Sequence, residues 1–143
     1  MRHDLTVSQS IDINAPVSKV WEGLTNPAII KEWLFGTNTT TDWQPGSEIV
    51  FSGEYNGQTY RDKGIIQEFV VNKIISYTYW SGFSGLEDTL ENYSLVTLTV
   101  ADNGNGTTNF TWTQKGFGSE EGYQHSLGGM TEFLEKIKSV IEQ

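Results

Sequence analysis

The 143 residues include no cysteine, three prolines, two histidines and nine basic side chains, and each shortage removes a class of explanation. Without cysteine there is no disulfide framework, no thiol nucleophile and no thiolate metal site. His3 and His125 cannot form an i,i+4 metal pair, and neither sits in a zinc-protease motif. A phosphate-binding loop and a dinucleotide fingerprint are missing too, so neither a cofactor nor a metal is expected. Nine Lys and Arg against 18 Asp and Glu give a formal charge of −9, which repels phosphate backbones and anionic membrane surfaces and argues against a nucleic-acid partner. Met1-Arg2-His3-Asp4 opens onto an alternating segment and not a continuous apolar one. Neither a signal peptide nor a membrane span is expected, and the default compartment is the cytoplasm.

What remains suits one domain, residues 1–143, long enough to bury roughly 68% of the surface its unfolded chain exposes. Its clearest periodicity is at the end. Tyr123, Leu127, Met130, Leu134, Ile137 and Ile141 alternate at spacings of four and three, with Phe133 and Val140 widening the stripe, so a long helix over 119–143 has one apolar face. Ser119 suits its cap, Glu120 and Glu121 its acidic first turn, and Glu132 with Lys136 a surface i,i+4 pair. Gly128 and Gly129 interrupt the pattern at about 1 kcal/mol each. Either a neighbouring backbone approaches there, or the missing side chains leave room beside a ligand or for a bend.

The three prolines mark boundaries. Leu5, Val7, Ile11 and Ile13 alternate with polar residues as a half-buried strand, which ends at Asn14-Ala15-Pro16, a capping side chain and a proline for a first helical turn. Val17, Val20, Trp21 and Leu24 then form a short helix. Asn26-Pro27 repeats the device for a second one carrying Ile29, Ile30 and Trp33 and stopping near Gly36. Pro45-Gly46 precedes a strand from Ile49 to Tyr55, and Asn56-Gly57 is a hairpin signal leading into a strand from about Gln58 to Phe69. Ile74 to Trp80 is dense in β-branched and aromatic residues, and a loop over 81–91 with Phe83 and Leu86 follows. Asn92 to Ala101 and Thr107 to Lys115 complete a last hairpin. Successive antiparallel strands and one long terminal helix make an α+β fold in which a sheet grips the helix.

Candidate chemistry is sparse. A catalytic triad would need His125, which the helical wheel places opposite Tyr123 and Leu127, in solvent. Asp62 and Glu68 share a strand face with Tyr60, Gly64 and Ile66. If that face looks inward, Asp62 is a polar anchor or an acid/base; if not, it is a solvated position or half of an ion pair. Aromatics make up 13% of the chain, and alternation aligns Phe51, Tyr77, Tyr79, Phe110 and Trp112 on one surface, with Trp33, Phe35 and Trp43 at its entrance. Such a wall suits a pocket for an apolar ligand and equally an ordinary core.

Ile13-Asn14-Ala15-Pro16 with Val20-Trp21, then Leu24-Thr25-Asn26-Pro27 with Trp33, resembles the opening of the heat-shock protein 90 ATPase activator homologues of the START-like, or SRPBCC, superfamily. Pro45-Gly46-Ser47, Gly64-Ile65-Ile66-Gln67-Glu68, Ile75 to Trp80, and Gly122-Tyr123 with Leu127 extend the likeness over nearly the whole chain. Val70-Val71-Asn72-Lys73 departs from the family's frequent Asp-Pro-Pro turn. The resemblance implies a helix-grip fold of about seven strands around the C-terminal helix, with a hydrophobic cavity between them. It implies no reaction, since the superfamily holds carriers, receptors, cyclases and lipid-transfer domains. The expected function is binding of a small hydrophobic or aromatic ligand, lipid- or polyketide-like, by Trp33, Phe35, Trp43, Phe51, Tyr77, Tyr79, Phe83, Trp112, Tyr123, Leu127 and Met130. The alternatives are a cyclase or dehydratase using Asp62, and a chaperone-associated protein, as a monomer or a homodimer.

Overall fold

Alternating apolar and polar residues make a long first strand in the computed structural model, which describes residues 1–143: β1 (Arg2–Ile13) turns Val7 and Ile13 into the core. Two short helices follow, α1 (Val17–Thr25) and α2 (Pro27–Trp33). Asn26 caps α2, accepting from the Ala28 N–H at 3.0 Å, and Pro27 takes the first helical position. The start of α1 differs from expectation. Pro16 itself is the cap residue and no side chain caps the helix. The Asn14 N–H donates instead to Glu142 Oε2 at 2.7 Å, tying this junction to the end of the chain.

The remaining strands are β2 (Asn38–Thr40), β3 (Glu48–Tyr55), β4 (Gln58–Val70), β5 (Ile74–Tyr79), β6 (Ser94–Asp102) and β7 (Thr108–Phe117). They join β1 in one seven-stranded antiparallel sheet of order β1-β7-β6-β5-β4-β3-β2. Asn56 and Gly57 both have positive φ, 50° and 79°, as a two-residue type I′ hairpin requires. Where the family turn is replaced, Asn72 takes a left-handed φ of 64° and the Lys73 N–H closes onto the Val70 carbonyl at 3.0 Å. Asparagine tolerates that conformation better than most residues.

Two features of β4 bend the sheet and reassign its faces. Its register against β5 shifts between Ile66 and Glu68, so one extra residue is accommodated as a bulge. Glu68 therefore turns out to solvent, not onto the face of Asp62 as strict alternation predicts. Phe69 turns inward and packs on Trp21 and Trp43, with ring centroids 5.5 and 5.6 Å away. At Gly64 a Cβ would collide with the Thr78 carbonyl oxygen, and the Ile65 N–H is taken by the Thr78 hydroxyl at 2.9 Å. Only glycine permits two backbones to approach so closely.

The long terminal helix, α3 (Glu120–Ile141), is capped by Ser119, which accepts from the Gly122 N–H at 3.0 Å. It lies along β1, with Gln9 Nε2 donating to Thr131 Oγ1 at 2.8 Å and Lys138 Nζ to the Asp12 carbonyl at 2.9 Å. Met130, Leu134, Ile137, Val140 and Ile141 are buried, all from the middle of the helix onward. Before Met130 only Tyr123 and Ser126 are even half-covered, and His125 is exposed. Cβ atoms at Gly128 and Gly129 would meet nothing within 4 Å, so no backbone approaches them. The ion pair within α3's last turns is Lys138 with Glu142 at 2.5 Å, and the expected Glu132–Lys136 pair does not form.

Candidate functional site

Because α3 settles over β1, it leaves the opposite end of the concave sheet to be roofed by α2 and the segment after it. A cavity of about 510 Å³ remains there, lined by 23 residues of which 18 are hydrophobic. Trp33, Phe35, Trp43, Phe51, Tyr77, Tyr79, Phe83, Trp112 and Asp62 all contribute to its wall. Tyr123, Leu127 and Met130 do not. Tyr123 packs on Phe117 at 5.4 Å between centroids, Leu127 is 47% exposed, and Met130 belongs to the core. The helix supplies Phe133 instead, a residue that the apolar stripe places at its margin. Nor do Gly128 and Gly129 border the cavity.

The inner end is fixed by edge-on aromatic contacts. Trp33 Nε1 donates to the Gly23 carbonyl at 2.9 Å, and its ring meets Trp112 and Phe133 at centroid distances of 6.4 and 5.9 Å. Phe133 and Trp112 are 5.0 Å apart and nearly perpendicular, at 81°. These separations suit the ring quadrupoles. Phe51 stands in the middle of the floor, 5.6 Å from Tyr77 and 5.9 Å from Tyr79.

The mouth is aromatic as well. Phe35 is 80% exposed and stacks on Phe133 at 6.3 Å, while Phe83 is 59% exposed and meets Tyr55 and Tyr60 at 6.4 and 5.9 Å. Tyr60 lies across Gly53 and shares a hydrogen bond of 2.6 Å with Thr37 Oγ1. The segment that carries Phe83 is held down by Lys63, whose ammonium pairs with Asp88 at 2.6 Å and sits 5.9 Å above the Trp80 ring. Phe35 and Trp43 both adopt left-handed backbone, φ 55° and 61°. For bulky side chains that conformation is strained, and such strain concentrates at functional sites.

One acid lies inside. Asp62 is 8% exposed, opposite Phe51 in the β3–β4 ladder, and its Oδ2 accepts from the Tyr79 hydroxyl at 2.6 Å. It is neither a solvated edge residue nor half of an ion pair. Burial, and then the neighbouring negative charge of Asp62, push the Tyr79 phenol well above its ordinary range, and burial alone does the same for Tyr77. Among the wall residues Asp62 and Glu54 are acidic, and there is no Lys, Arg or His. Thr37, Thr39 and Gln114 add polar groups that the sequence did not single out. For Thr39 the period of a three-residue strand is too short to read.

Comparison with known proteins follows the same lines. Residues 14–142 match the family model described as Activator of Hsp90 ATPase homolog 1-like protein. A solution structure of a protein from Cytophaga hutchinsonii is 40% identical, with a TM-score of 0.82 over 96% of this chain and 94% of that one. A protein from the dynemicin biosynthetic locus is 16% identical, with a TM-score of 0.76 over 96% of this chain and 47% of that one. An HSP90 activator from Plasmodium falciparum is 15% identical, with a TM-score of 0.73 over 96% of each chain. These last two likenesses carry the fold alone. No curated protein matches the chain significantly. No helix is long and apolar enough to cross a membrane. The match over residues 14–142, the 40% identical structure and the shared helix-grip fold place the chain in the family of Activator of Hsp90 ATPase homolog 1-like proteins.

Proposed function

We propose that this protein binds a small hydrophobic or aromatic molecule in the cavity between the sheet, α2 and Phe133 of α3. The observation that carries this reading is the cavity itself, about 510 Å³ left open by side chains that are mostly apolar and largely aromatic. Protein interiors otherwise pack to the density of organic crystals, and open volumes of this size are typical of small-molecule sites. The strained backbone at Phe35 and Trp43 supports the same reading, because it holds two large rings where the cavity needs walls. Thermal denaturation and native mass spectrometry against a panel of lipids and aromatic polyketides test it. The expected result is a saturable rise in melting temperature and a one-to-one adduct. No shift across the panel, from protein purified without denaturation and carrying no small molecule, overturns it.

The Asp62–Tyr79 hydrogen bond favours a second reading, a cyclase- or dehydratase-type enzyme. The pair sets a carboxyl group and a phenol side by side in the cavity wall, two of the group types that serve as acid and base toward a carbonyl compound. Loss of water from a polyketide-like substrate, followed by mass spectrometry and abolished in Asp62→Asn, would establish it. An unchanged mass together with an unchanged ultraviolet spectrum and chromatographic retention for every compound that binds would confine the site to binding.

A further inference from the structure

We propose that residues 81–93 form a cover over the cavity mouth, fastened by the Lys63–Asp88 ion pair, and that its opening sets how fast a ligand enters and leaves; this rests on the binding reading above. Phe83 is the part of the segment that reaches the cavity, where it lines the wall and meets the Tyr55 and Tyr60 rings at 6.4 and 5.9 Å. It stands on one short turn, Gly82–Ser84, ended by Gly85 in left-handed backbone at φ 75°. Yet no residue from 81 to 93 is buried. A segment with so few apolar contacts opens at a small fraction of the cost of global unfolding.

The backbone of this segment bonds to itself and to no other backbone. The N–H groups of Ser84, Thr89, Asn92 and Tyr93 donate to the carbonyls of Ser81, Glu87, Thr89 and Leu90 at 3.1, 2.9, 2.9 and 3.3 Å. Asn92 Nδ2 donates to the Glu87 carbonyl at 3.0 Å, and the Tyr93 hydroxyl to Asp88 Oδ1 at 2.5 Å. The segment therefore lifts as a folded unit and loses none of these bonds. Its polar ties to the rest of the molecule are side-chain contacts. Trp80 Nε1 donates to the Leu86 carbonyl at 3.2 Å, His3 Nε2 to the Glu91 carbonyl at 2.7 Å, and the Lys63 ammonium pairs with Asp88 at 2.6 Å. Trp80 adjoins the root of the segment and is itself fixed to Lys63 by two backbone bonds of 3.0 and 2.8 Å. Lys63–Asp88 is the segment's one salt bridge. Its side chains are 27% and 38% exposed, so water can solvate both charges when the pair parts.

Release of the neutral fluorescent probe N-phenylnaphthylamine, followed by stopped-flow dilution, tests this. Lys63→Met, which keeps an apolar stem beside Trp80, and Asp88→Asn are each expected to release the probe about two- to fivefold faster than the wild type, the range that a partly exposed ion pair spans. The double variant should be no faster than Asp88→Asn, because the contact is already gone. Arg61→Met breaks the Arg61–Glu48 pair on the same strand and should leave the rate unchanged. Hydrogen exchange supplies a readout that needs no ligand: amides of 81–93 should exchange faster in Lys63→Met and Asp88→Asn, and those of β4 and β5 as in the wild type, with circular dichroism showing that every variant folds. Wild-type release from both single variants, wild-type exchange in the segment, or an equal acceleration by Arg61→Met each overturns the cover while cavity binding stands. If the folded protein takes neither the probe nor any compound of the panel above, both are overturned.

Discussion

The Tyr79 hydroxyl donates to Asp62 Oδ2 at 2.6 Å across the β4–β5 junction, so one oxygen of a buried carboxylate is satisfied by the wall and the other is not. Tyr79→Phe leaves the carboxylate without its donor and is expected to cost about 1–3 kcal/mol, the desolvation penalty of an unpaired buried group. Asp62→Asn should cost less, since its amide oxygen still accepts from Tyr79. Urea denaturation of the two variants checks the order. A smaller loss for Tyr79→Phe than for Asp62→Asn would mean that the hydrogen bond does not support the fold.

Phe35 is mostly exposed, yet its backbone is left-handed. Phe35→Gly removes strain of about 1–3 kcal/mol and adds unfolded-state entropy of roughly 0.5–1 kcal/mol. The melting temperature is therefore expected to hold or rise, while affinity for a cavity ligand falls with the lost ring. A clear drop in melting temperature would show that the stacking on Phe133 outweighs the strain.

Gly128 and Gly129 face open space within α3. Replacing both by alanine should stabilise the protein by up to about 2 kcal/mol, at about 1 kcal/mol per helical glycine. Differential scanning calorimetry gives the answer. Destabilisation would reveal a bend or contact that only glycine allows.

Alkaline pH tests the buried phenols. Tyr77 and Tyr79 are raised well above the ordinary value of 10.0, chiefly by burial, and Tyr93 is pushed up to about 12 by burial and then by its hydrogen bond to Asp88. Because the folded state holds these protons more tightly than the unfolded state, their stabilisation is complete below about pH 10. It is lost as pH rises from there through the folded values. Phenolate absorbance should show these three of the six tyrosines ionising late, in step with unfolding. Six tyrosines titrating together near pH 10 in folded protein would contradict the burial.

The order of elements was legible in the chain because its signals are local. Asn26-Pro27, Asn56-Gly57 and the apolar stripe from Tyr123 to Ile141 each act within a few residues, through capping, turn geometry and helical period. Of the eight expected residues that line the cavity, Phe51, Tyr77, Tyr79 and Trp112 follow from strand alternation and Trp33 from the helical pattern of α2, while Phe35, Trp43 and Phe83 come from the segments between strands and α-helices. What alternation does not contain is the bulge after Ile66, which exchanges Glu68 for Phe69. It also cannot say where a helix comes to rest.

By itself, then, the sequence determined an antiparallel sheet, a terminal helix with one apolar face, and an acidic, cysteine-free chain rich in aromatic rings. Tertiary structure alone decided that α3 lies along β1. That placement moves Tyr123, Leu127 and Met130 off the cavity and puts Phe133 on it. Only the folded sheet brings Asp62 under Tyr79. The reason is the range of the forces: caps and turns act along the chain, whereas docking and curvature depend on surfaces that touch only after residues distant in sequence have met.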